Sequence, residues 1–125
     1  MNAFQSLKKY HINQGDILFA ITGATIGKVC INHLGKLSVT SGDIGYLRVN
    51  HPEVSPYYVL MYFKTKFGQL QLEQGITGAT NRHLAVNFIA EIEIPLIPKE
   101  IQETIENNIV KAINNTYLSQ KLIDE

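Results

Sequence analysis

From Lys99 to Glu125 the chain places Ile101, Ile105, Ile109, Ile113 and Tyr117 in strict steps of four, with no proline or glycine among them. Steps of four align all five on one stripe of an α-helix. Glu100, Glu103 and Glu106 load its first turns with acid, which suits the helix dipole. At about 1.5 Å per residue such a helix reaches roughly 40 Å. A chain of 125 residues makes one domain. So long a helix outreaches so small a body, and its apolar stripe requires a partner in this chain or in another. The sequence therefore divides into an α/β body, residues 1–98, and a helix, residues 99–125.

Within the body, Gly15-Asp16 reads as a turn into a strand over Ile17–Ile21, and KVCIN (Lys28–Asn32) as its neighbour. The apolar setting of Cys30 predicts a buried core thiol. His33-Leu34-Gly35-Lys36 reads as a turn, and Leu37–Thr40 and Ile44–Val49 as further strands around Ser41-Gly42-Asp43. Ser55-Pro56 is a helix start: serine caps, and proline fits where its missing N–H costs nothing. The helix that follows carries Val59, Leu60, Phe63 and Phe67 as a core stripe, with Gly68 as its end or bend. IAEIEI (Ile89–Ile94) alternates as a strand, with Glu91 and Glu93 on its solvent side, and Pro95 and Pro98 close it. The fold class is α+β: a small twisted, mainly antiparallel sheet with a packed helix, followed by a long C-terminal amphipathic helix.

A hydrophobic fraction of 45% and a charged fraction of 18% describe a globular chain. No apolar run approaches the roughly 20 residues that span a bilayer. The start lacks the apolar stretch of a secretory signal. With a lone cysteine, which cannot form an internal disulfide, this predicts a cytoplasmic protein. Zero net charge argues against a nucleic-acid partner, but its distribution does not. Residues 1–90 hold eight Lys/Arg against four Asp/Glu, whereas residues 91–125 hold three against seven.

Catalytic chemistry is not visible. Gly23-Ala24-Thr25-Ile26-Gly27-Lys28 resembles a phosphate loop but has three residues between its glycines instead of four. Val29 also stands where a magnesium-binding Ser or Thr is required. His11, His33, His51 and His83 lie far apart, none at metal-ligand spacing. No Gly-x-Ser-x-Gly elbow occurs. Neither a catalytic residue, nor a metal, nor a cofactor is expected.

The pentapeptide ITGAT occurs twice, at residues 21–25 and 76–80, each time running into a basic group: Lys28 after the first, Asn81-Arg82-His83 after the second. One reading is that both are only convenient turns. The other is that Thr22, Thr25, Thr77 and Thr80 offer hydroxyls to phosphates, with Lys28, while Asn81, Arg82 and His83 reach base edges.

GDILFAITGATIGKVCI, residues 15–31, resembles the strand–loop–strand of target recognition domains in specificity subunits of type I restriction–modification systems. The resemblance continues in order through Ser55–Phe63, Gly75–Arg82, Ile94-Pro95-Leu96-Ile97-Pro98 and Glu100-Ile101-Gln102. In the family the glutamate and glutamine are adjacent, whereas Ile101 separates them here. The family's domains also carry more residues before the Gly-Asp-Ile-Leu strand, so a partial domain is expected. The resemblance implies a non-catalytic reader of double-stranded DNA that holds methyltransferase subunits, and a restriction subunit in the full complex. It also implies helix pairing, here with a second copy through the Ile101–Tyr117 stripe. The two ITGAT segments would then be loops of convergent chemistry in one recognition surface. The alternative is a truncated remnant that associates through its helix and leaves DNA unread.

Overall fold

The computed structural model describes residues 10–33, 35, 37–39, 42–78 and 81–124, with the backbone alone at 10, 11, 37–39 and 117–124. Strands β1 (Tyr10–Ile12), β2 (Ile17–Ala20), β3 (Val29–Ile31), β4 (Leu37–Val39) and β5 (Ile44–Leu47) precede helices α1 (Pro56–Lys64) and α2 (Lys66–Gln74). A short hairpin, β6 (Ile76–Thr77) and β7 (His83–Leu84), leads to α3 (Val86–Ala90) and α4 (Lys99–Asp124). Among the described residues all strand pairs are antiparallel: β3–β2–β5 forms the central sheet, and β1–β4 and β6–β7 are two-stranded. This is the predicted α+β architecture. Leu34, Lys36, Thr40 and Ser41 of the predicted turns and strands lie outside the described residues.

The sheet and α1 enclose the core. Ile17, Phe19 and Ile21 on the inner face of β2 and its exit meet Val59, Leu60 and Phe63 of α1, and Phe19 meets Phe63 edge to face at 5.2 Å. Burying each phenylalanine contributes about 2–3 kcal/mol. The Gly-Asp turn into β2 has a specific chemistry. Gly15 adopts φ +91° and donates its N–H to Asn32 O at 2.7 Å. Asp16, 1% exposed, accepts from Arg48 Nε at 2.9 Å, Arg48 Nη2 at 2.8 Å and the Asn13 N–H at 2.7 Å. The hydrogen bonds to Asp16 raise the Arg48 pKa above its ordinary value, and the guanidinium stacks over Tyr46.

Four expectations are corrected. Cys30 is exposed, because Val29 and Ile31 take the inward positions of β3 and leave the alternate residue on the outer face. The first helix ends at Thr65 and not at Gly68. Thr65 closes α1, its N–H donating to Met61 O and Tyr62 O, and opens α2, its hydroxyl accepting from the Gly68 N–H. Gly68 instead lets α2 fold back tightly: a Cβ there would lie 2.2 Å from Tyr62 O. The turn at Thr65 also carries Phe67 out of the core stripe to 75% exposure. Finally, Ile89–Ile94 is no strand. Val86 and Ile89 are buried from one face of α3, and the chain then runs irregularly with Ile92 and Ile94 on the core and Glu91 and Glu93 outward.

The long helix leaves the body through Gln102, 2% exposed. Its amide accepts from the Ser55 N–H at 2.8 Å and donates to Glu53 O and Ile97 O, both at 3.0 Å. Ser55, which caps α1, also donates its hydroxyl to Glu106 at 2.6 Å. One residue thus starts one helix and anchors another. Along the stripe, Ile109 packs against the body's core, Ile105 and Ile113 are half-buried, and Ile101 is 51% exposed. The Tyr117 side chain lies outside the described residues. Among the described residues no helix is long and apolar enough to cross a membrane.

Candidate functional site

The two ITGAT segments, more than fifty residues apart, flank the same short strand, β7, in the fold. The first leaves β2 as the loop to β3, closed by Gly27 N–H to Ala20 O at 2.9 Å. The second departs from the expected loop, because Ile76 and Thr77 form β6 and pair with Leu84 and His83. Leu84 then donates its N–H to Ile21 O at 2.9 Å, and Thr22 bridges to His83. Thr22, His83 and Thr77 therefore stand side by side across three chain segments. Each copy puts its glycine in the left-handed region, Gly23 at φ +79° and Gly78 at φ +91°. This shared backbone demand is a physical reason for the repeated Thr-Gly.

The glycines are nevertheless unequal. A Cβ on Gly23 meets nothing within 4 Å, whereas one on Gly78 would lie 2.3 Å from Asn81 O. Gly23→Ala is expected to cost only the left-handed backbone term, about 1 kcal/mol. Gly78→Ala adds an overlap with backbone and is expected to cost about 2–4 kcal/mol. Equal urea midpoints for the two variants would contradict this ranking.

Between the first ITGAT turn and the segment that follows the second lies an open cleft of about 630 Å³, lined by Thr22, Gly23, Ala24, Asp43, Asn81, Arg82 and His83. Thr22, Asn81, Arg82 and His83 of the sequence candidates are thus brought together. Thr77 reaches the group through the hairpin, its hydroxyl 3.5 Å from His83 O, a long and weak contact. Thr25 and Lys28 are exposed on the turn beyond the cleft lining, with Lys28 N–H on Thr25 O at 3.0 Å. Thr80 lies outside the described residues.

Sequence reading missed Asp43. Its main chain accepts from the Ile21 N–H at 2.9 Å, and its carboxylate accepts from the Thr22 hydroxyl. The acid belongs to the turn before β5, and only the β2–β5 register sets it beside Thr22. The cleft can therefore both donate and accept: Arg82 and Asn81 on one wall, Thr22 and Asp43 on the other. Such a mixed rim suits heterocycle edges better than bare phosphate. Among the described residues no three His, Cys, Asp or Glu side chains gather as a metal site.

A family model described as the type I restriction modification DNA specificity domain matches residues 2–125. No curated protein matches the chain.

Proposed function

The chain belongs to the family of type I restriction–modification DNA specificity domains, and we propose that it reads duplex DNA sequence through the cleft between its first ITGAT turn and Asn81-Arg82-His83 without itself catalysing a reaction. The observation that carries this reading is convergence. Thr22 and the consecutive Asn81, Arg82 and His83 line one open cleft although nearly sixty residues of chain lie between Thr22 and Asn81. In this reading Asn81 and Arg82 contact base edges, Thr22 and Thr77 position the backbone, and Thr25 and Lys28 meet phosphates beside the cleft. The body is the DNA-reading part, and α4 is the part that docks methyltransferase subunits or a second copy through the side of its stripe that Ile101 leaves open. A monomeric mass in sedimentation, with and without a methyltransferase subunit, would remove that docking role.

The test is selection of binding sites from a random duplex pool, using the chain alone and with a methyltransferase subunit of the same system. An enriched short motif is the expected result. Arg82→Ala should relax choice at one position, by about 1–3 kcal/mol, while Lys28→Ala should weaken all sequences alike and lower the salt slope by about one. No enrichment in either condition, with association through α4 intact, would instead identify an interaction module whose turns read nothing.

A further inference from the structure

The ITGAT cleft does not end at Arg82. A second cleft of about 250 Å³ continues from Ala24 and Arg82 to the first turns of α2, where Lys66, Gln69 and Leu70 line it. Gln69 fixes α2 there, its amide donating to Phe63 O at 2.6 Å and to Gly27 O at 3.2 Å. The second bond ties the helix to the loop that carries the first ITGAT. On this firmly held turn stand two apolar side chains in solvent, Phe67 at 75% and Leu70 at 50% exposure, three residues apart and so on one face.

The charges around them point to the kind of partner. Lys64 and Lys66 flank the corner, both exposed, and Arg82 stands across the second cleft. Lys28, at the end of the turn that leads into β3, is exposed, as Cys30 is two residues on. Lys64 lies near enough to Cys30 to oppose the rise that burial gives the thiol. Glu73 is the acid lining this cleft, two turns further along α2. A basic surface with an exposed aromatic ring fits a polyanion that also presents apolar sugar and base edges. An acidic or purely apolar protein surface would match only half of it.

We propose that the first turn of α2 is a second DNA-contacting element, continuous with the ITGAT cleft. Lys66 neutralises a phosphate, and the Phe67 ring packs on deoxyribose and base edges beside the position that Arg82 reads. This rests on the reading that the cleft binds duplex DNA, and extends it to Lys66 and to Phe67, which the sequence assigns to the core stripe.

The experiment is fluorescence anisotropy of the full chain, alone and with a methyltransferase subunit, on an enriched duplex and on a scrambled one across a salt series. Phe67→Ala is expected to weaken binding about tenfold at unchanged thermal midpoint, since the ring is exposed. Lys66→Ala should lower the slope of log affinity against log salt by about one, and Lys66→Arg should restore it. Suppose the wild type binds and Arg82→Ala relaxes sequence choice, but the α2 variants keep their affinity and slope. Then this element makes no contact, while the cleft reading stands. Loss of methyltransferase co-sedimentation in the α2 variants at unchanged DNA affinity would overturn it in favour of a protein-docking face. A wild type that binds no duplex in either condition removes both.

Discussion

Arg48→Met is expected to destabilise the fold by about 3–5 kcal/mol, because it leaves the Asp16 carboxylate buried without its cation. Asp16 is 1% exposed and loses both guanidinium bonds, keeping only the Asn13 N–H among the contacts described above. In urea the midpoint should fall by about 2 M. Asp16→Leu combined with Arg48→Met should recover much of the loss, since it removes the buried carboxylate along with its cation. A midpoint within about 0.5 M of wild type for Arg48→Met would mean that water solvates this carboxylate in place of arginine. The consequence reaches the candidate site, because Asp16 opens the strand whose far end carries the first ITGAT.

Gln102→Leu is the second large effect. It removes one acceptor and one donor that together hold Ser55 N–H, Glu53 O and Ile97 O, and leaves all three backbone groups without that partner. The expected cost is about 2–4 kcal/mol. Amide exchange should rise at Ser55 and along the first turns of α4, while β2 and β5 keep their relative protection. Gln102→Glu discriminates further, because a carboxylate can accept from Ser55 but cannot donate to the two carbonyls. If Gln102→Glu keeps wild-type stability and exchange, the carbonyl bonds contribute nothing and the latch is misassigned.

The parts of the fold legible in the sequence are those where one physical signal acts over a long stretch. The four-residue steps from Ile101 and the absence of proline and glycine give α4, which spans Lys99–Asp124. Ser55-Pro56 gives the start of α1. Alternation in the β2–β3 hairpin gives two faces, but does not say which one is inward, and so it does not reveal that Cys30 faces outward. Alternation in IAEIEI describes a chain lying along the core with its glutamates outward, a pattern that an unpaired segment produces as well as a strand does. Thr65 was hidden because a single residue serves as the cap of two successive helices, and hydrophobic spacing runs through the break without a gap. Gln102 reads as an ordinary polar residue in a first turn, since nothing local reveals three backbone groups converging on it from 53, 55 and 97. For the candidate site, residue types were legible in the turns themselves. Their assembly depends on β7 crossing to Ile21 and on the register that brings Asp43 to Thr22, both non-local pairings.

That crossing has a thermodynamic consequence. Two independent surface loops would each surrender conformational entropy when a ligand entered between them, at about 1–2 kcal/mol for every residue newly fixed. Here the Leu84–Ile21 bond and the Thr22–His83 bridge join the loops before any ligand arrives. The ordering cost falls on folding and leaves more of each new contact to appear as affinity. It also means that substitutions at the exposed tips, such as Ala24 or Asn81, can change what the cleft touches while the ladder beneath them holds the same spacing.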